Sequence, residues 1–181
     1  MRVRIALAAV AGAVALATGG PVTAAAAAPA LAAVASGPHR CYVSDLAAGL
    51  HGSQAGLGNR GFFLTLTNIS GTSCHLSGYP RLGLRDAAGR ALRTTTRPGP
   101  TYFDPDPGRR LIVLSPGETV SADVAFGVAG SPGNSVLASY LEITPPGGHR
   151  SFVLRIPYGA ALVYRGRVDV TALARHTPYF P

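Results

Sequence analysis

A chain of 181 residues with 23 Gly, 15 Pro, no Trp and only 13% charged side chains fits one modest domain with a leader rather than two domains. All 16 Lys+Arg positions are Arg, and against 8 acids they give a formal charge of +8, a balance that favours anionic surfaces without choosing one.

At the start of the chain Arg2 and Arg4 precede a short apolar run over residues 5–17. Gly19, Gly20 and Pro21 break that run before Val22-Thr23-Ala24, the pattern of a secretory signal peptide over residues 1–24. The run is shorter than the ~18 to 20 residues of a spanning helix, so no membrane span is expected. Loss of the leader leaves 16 − 2 = 14 Arg against 8 acids, a formal +6. The first cysteine is Cys41, too far on to accept a lipid at the cleavage site, so free secretion to the extracellular space is expected. Residues 25–38 read as a disordered Ala-rich remnant, 39–175 as the folded domain and 176–181 as a polar tail.

Within the domain, Val43, Leu46, Ala48 and Leu50 mark a first strand, and the glycine-rich stretch 51–60 reads as a loop. Phe62, Leu64 and Leu66 alternate with Phe63, Thr65 and Thr67, the period of a strand with one buried face. An Asn-Ile-Ser-Gly turn leads to a short piece carrying Cys74 and Leu76. Residues 81–85 and 91–96 should pair across the Asp86-Ala-Ala-Gly89 turn, and the proline-rich 97–108 should be a long surface loop. Further strands are expected at 111–114, 119–128, 137–144, 151–156 and 166–173, with Ser121 and Asp123 facing away from Val120, Ala122, Val124 and Phe126. Eight to nine short strands without an amphipathic helix predict an all-β, immunoglobulin-like antiparallel sandwich. Two cysteines in an exported chain favour a Cys41–Cys74 bridge over two buried free thiols, closing 74 − 41 = 33 positions.

No motif assigns an activity. Ala129-Gly-Ser131-Pro-Gly133 resembles a nucleophile elbow, but Pro132 has no N–H to offer an oxyanion. His39, His51, His75, His149 and His176 lack chelating spacing, and adjacent Cys74 and His75 would point to opposite faces of a strand. Asp104-Pro-Asp106 lacks the further ligands of a calcium loop and reads as a solvated turn. No metal, catalytic residue, nucleotide or other cofactor is expected, and a carboxylate pair of the glycosidase kind is not evident. One surface feature remains: Arg81, Arg85, Arg93 and Arg97, with Tyr102, Arg109 and Arg110 nearby, could form a cationic face for phosphate or carboxylate. Arg90 flanks the same hairpin.

Cys41, Leu64-Thr-Leu-Thr-Asn68, Cys74-His-Leu-Ser-Gly-Tyr-Pro80, Leu114-Ser-Pro-Gly117 and Ile143-Thr-Pro-Pro146 together resemble an actinobacterial exported family known as a domain of unknown function. The likeness spans residues 40–173 and implies a secreted or lipid-anchored immunoglobulin-like sandwich with Cys41 and Cys74 linked. It implies no activity. Family members with a second cysteine pair differ from this chain, which has none around Val136 and Ala161. The expectation is a non-enzymatic binding or interaction module, its partner an anionic cell-envelope polymer or another secreted protein and not a nucleic acid. A small extracellular hydrolase with a site assembled from separated residues is the alternative, and a structural filler without a ligand is a third.

Overall fold

A computed structural model of the chain describes residues 37–128, 132–157 and 159–175. The leader, most of the Ala-rich stretch, residues 129–131 of the elbow-like segment with its Ser131, and the tail with His176 lie outside the described residues.

The domain is all-β. In chain order the strands are β1 (His39–Arg40), β2 (Leu46–Gly56), β3 (Asn59–Asn68), β4 (Cys74–Ser77), β5 (Arg81–Arg85), β6 (Ala91–Leu92) and β7 (Thr95–Pro98). They continue as β8 (Leu111–Leu114), β9 (Thr119–Gly127), β10 (Ser135–Ala138), β11 (Tyr140–Thr144), β12 (Phe152–Arg155), β13 (Ala161–Tyr164) and β14 (Arg167–Val170). Fourteen strands among the described residues replace the eight to nine expected. Part of the excess comes from strands that change sheet midway, and β1 and β13 fall where no strand is expected. β10 and β11 are separated only by Ser139, whose backbone is taken by Arg85 and Ile156 instead of by the ladder of β10.

The largest sheet has the order β2-β3-β9-β14-β7; β12-β11-β5-β6, β1-β4-β8 and the pair β10-β13 make up the rest. Pairing is mostly antiparallel, as the alternation predicts, but β1–β4 and β7–β14 are parallel. The 81–85 and 91–96 arms pair as backbones only at Leu84↔Leu92 and Arg85↔Ala91. Beyond that point the Thr94 and Thr96 hydroxyls accept from Leu84 N and Leu82 N, and the chain leaves to become β7 of the large sheet.

Phe62, Leu64 and Leu66 of β3 pair with Val124, Ala122 and Val120 of β9, so both strands send their apolar set to one side. That set joins Leu76, Leu82, Leu84, Leu114, Leu141, Ile143, Val168 and Val170 in a single buried cluster. Cys41 and Cys74 lie fully buried in it and are bonded to each other, their Cα atoms 4.9 Å apart. The bridge fastens the beginning of the domain to β4.

The stretch 51–60 is not a loop. β2 runs on to Gly56, a bulge lies between His51 and Gln54, and a two-residue turn of Leu57 and Gly58 returns the chain into β3. Both turn residues have positive φ, 42° and 77°, which is the mirror-image turn whose twist matches a hairpin. Of the glycines that mimic a loop signal, Gly52 at the bulge and Gly58 in the turn hold positive φ, 68° and 77°, and Gly56 lies under the Tyr102 ring; a tighter approach follows just beyond, at Gly61. A Cβ on Gly61 would sit 2.9 Å from Val124 O and 3.0 Å from the Phe103 ring, which packs across the strand.

Candidate functional site

The segment between β7 and β8 lies across the outer face of the large sheet and closes it. Tyr102 and Phe103 meet edge to face at 5.0 Å above Gly56 and Gly61. Asp123 does face away from the core, as predicted, yet it is 0% exposed beneath this cover and not on a solvated strand face. Gln54 Nε2 and Thr101 Oγ1 each donate to its carboxylate at 2.5 Å. Burial pushes the Asp123 carboxyl above its ordinary range, against the pull of those two donors, and burial raises Asp104 as well.

Asp106, read from sequence as part of a solvated turn, is a latch for the same segment. It accepts from Tyr79 Oη at 2.5 Å and from Ala172 N at 2.9 Å. Burial opposes its charge, but the Ala172 and Gly108 amides and the Tyr79 hydroxyl outweigh it and hold the carboxyl below its usual range. The same hydrogen bond, aided by burial, raises the Tyr79 phenol. Asn68 is likewise structural: its amide donates to Thr72 O and Leu114 O at 2.9 Å, and its oxygen accepts from Ser70. The two polar residues that stand out in the signature therefore hold turns and loops.

The predicted cationic face is dispersed. Arg81 and Arg85 share β5, but Arg85 is paired with Glu142 at 2.9 Å and donates to Gly89 O. Arg90 is paired with Asp86 at 2.8 Å and Arg97 with Asp169 at 3.7 Å. Arg109 lies over Gly78, while Arg110 lines a groove with Leu111, Leu173 and Arg175. Arg93 goes elsewhere.

Arg93 lines a cleft of about 560 Å³ together with Thr95, residues 133–136, Arg165 and Arg167. Among the described residues no carboxylate lies within ion-pair distance of any of these three arginines. Arg165 and Gly166 form the turn between β13 and β14, both with positive φ, 52° and 64°. Asparagine or aspartate is the usual first residue of such a turn, and arginine is strained there. Gly166 is obligatory on a second count, because a Cβ would come 2.0 Å from Arg93 O. The turn is gripped from two sides: Thr95 N donates to Gly166 O at 2.8 Å and Arg165 N to Asn134 O at 2.7 Å. The Arg165 guanidinium lies 5.1 Å over the Tyr164 ring, which fixes its direction. Three cations with amide and hydroxyl neighbours suit phosphate or carboxylate oxygens, and the lining contains neither His nor a carboxylate to act as a base. Sequence reasoning missed Arg165 and Arg167 because Arg-Gly is a weak turn signal; Tyr-Arg-Gly-Arg between two apolar alternations was the available hint.

A second recess of about 470 Å³ beside Cys41 is lined by Tyr42, Ser44, Pro145, His149 and Arg150 among others. Its lining includes a serine and a histidine. Ser44 Oγ is directed to Asp45 at 3.5 Å, and among the described residues no hydrogen bond joins it to His149. Asp45 is itself engaged by His39 at 3.2 Å and by Tyr42 N.

The sequence pattern of a domain of unknown function, DUF4232, matches residues 41–174. The chain belongs to that family. The matched DUF4232 segment begins at the bridged Cys41 and ends at Ala174, whose backbone pairs with Ser121 of β9, so it coincides with the folded domain. No curated protein and no solved structure matches the chain. No helix among the described residues is long and apolar enough to cross a membrane.

Proposed function

We propose that this DUF4232 protein is a secreted, non-enzymatic binding module, built as an immunoglobulin-like sandwich, that holds an anionic polymer of the cell envelope in the cleft of Arg93, Arg165 and Arg167. What carries the reading is Arg165: an arginine kept in a left-handed turn position, stacked on Tyr164, beside two other arginines that no described carboxylate neutralises. Strain of this kind costs of order 1 to 3 kcal/mol and concentrates where side-chain placement matters more than stability. The apolar start of the sequence and the Cys41–Cys74 bridge support export to an oxidising compartment.

The test is retention on isolated cell walls as a function of salt. The parent protein binds at low ionic strength and is released as salt rises, whereas Arg93, Arg165 and Arg167 changed together to Ser abolish retention, and Arg81 with Arg85 changed to Ser leave it nearly intact. Retention indifferent to salt, or lost only with the Arg81 and Arg85 changes, would remove the cleft from the account.

A further inference from the structure

Two turns that lead into strands of the large sheet, β3 and β14, carry a non-glycine residue at positive φ, Leu57 and Arg165, and no others do among the described residues. They lie at the same end of the sheet. The Leu57-Gly58 turn joins β2 to β3, and Gly58 O accepts from Val128 N at 2.8 Å. Val128 follows Gly127, the last residue of β9, and a Cβ on Gly127 would lie 3.9 Å from Tyr164 Cβ, one residue before Arg165. β7 begins at this end too, since Thr95 pairs with Arg167 in a parallel register. The arginine cleft and the hairpin tip are therefore parts of one surface.

The tip has no structural reason to be leucine. Its side chain is 91% exposed, and its backbone conformation is one that Asn, Asp or Gly adopts at far lower cost. Tyr102, half exposed, stands beside it over Gly56, and exposed Arg60 follows one residue after the start of β3. An apolar tip, an amphipathic aromatic that favours a water–hydrocarbon boundary, and unneutralised arginines behind them match the layering of an anionic bilayer from acyl chain to head group.

The geometry points to this end of the sheet as a docking surface for an anionic lipid bilayer, with Leu57 entering the acyl boundary while Arg93, Arg165 and Arg167 take lipid phosphates. The inference rests on the cleft being an anion site, as in the reading above, and adds that it also accepts phosphate displayed on a membrane. A soluble polyanion would use the arginines and leave Leu57 idle, so the two are separable.

The chain has no Trp, so Leu57→Trp places a single reporter at the tip, and Leu111→Trp places one on another exposed leucine. Leu111 lines a groove with Leu173 and Ala174, beyond the opposite end of β14, and serves as the control. With full-chain protein and phosphatidylglycerol vesicles, the Leu57→Trp emission shifts to the blue and is quenched by brominated acyl chains, that of Leu111→Trp is unchanged, and phosphatidylcholine vesicles give neither effect. In the full chain Leu57→Asn, which suits the turn, weakens vesicle binding by about tenfold or more, the loss expected from one buried leucine. Inorganic polyphosphate bound by the parent protein, with no vesicle signal at residue 57, would overturn the membrane inference and leave the cleft standing. Failure to bind polyphosphate and vesicles alike would overturn both.

Discussion

Gly166→Ala isolates the geometry on which the cleft is built. An alanine in the left-handed region costs ~1 to 2 kcal/mol, of which ~0.4 to 1 kcal/mol is returned by the stiffer unfolded chain. The new Cβ would also lie 2.0 Å from Arg93 O, where real contacts stay beyond 3.0 Å, so the turn and the start of β7 must separate by about 1 Å. That movement stretches the hydrogen bond from Thr95 N to Gly166 O, now 2.8 Å, and a lost bond of this kind adds ~1 kcal/mol. The sum is about 1 to 2.5 kcal/mol, centred near 2, a fall of about 0.5 to 1.3 M in the urea midpoint for a slope near 2 kcal/mol/M. Gly117→Ala is the matched control, with φ 82° and nothing near its Cβ, and costs only about 1 kcal/mol. Chemical denaturation of both variants measures the difference. Equal midpoints would mean that Arg93 does not crowd Gly166 and that the turn is not locked against β7.

The two aspartates under the β7–β8 segment respond oppositely to pH. Asp106 has its carboxyl lowered on folding, so its contribution is present above the ordinary range near 3.8 and lost as pH falls through the lowered value; Asp123 is raised, so its favourable contribution is full below 3.8 and lost as pH rises through the raised value. Asp123→Asn should therefore flatten the decline in stability above about pH 4, visible as a smaller drop in thermal midpoint between acid and neutral buffer, and an unchanged drop would contradict the burial argument. Tyr79→Phe removes a hydrogen bond to a carboxylate and should cost ~1.5 to 3 kcal/mol while increasing proteolytic cleavage within 99–110; protection equal to the parent would show that Asp106 is not the latch. Reduction of Cys41–Cys74, which closes 33 positions, should lower stability by roughly 3 to 4 kcal/mol, and mass analysis after denaturing alkylation without reductant should find no modified cysteine.

Where one face of a strand is apolar, the sequence was sufficient. Phe62, Leu64 and Leu66, and Val120, Ala122, Val124 and Phe126, announce β3 and β9 by alternation alone, because burial on one face imposes a period of two. The β2–β3 hairpin was hidden for the opposite reason. Its glycines mark a bulge and the close passage of Phe103, and both causes involve residues distant in sequence. Asp123 could be placed on the outer face but not beneath a cover, since nothing in residues 97–108 reveals which face they will lie on. The dispersal of Arg81, Arg85, Arg93 and Arg97 follows from the chain leaving β6 for another sheet at β7, a step decided by Thr94 and Thr96 hydroxyls and invisible to periodicity.

Titration calorimetry with inorganic polyphosphate addresses the cleft most directly, comparing the parent protein with Arg93, Arg165 and Arg167 changed together to Ser. Binding that weakens with salt and falls by more than about a hundredfold in the triple variant is the predicted result, given ~1.5 to 3 kcal/mol for each charged contact. Polyphosphate binding of equal strength in the two proteins would contradict the assignment of these three arginines as the anion site.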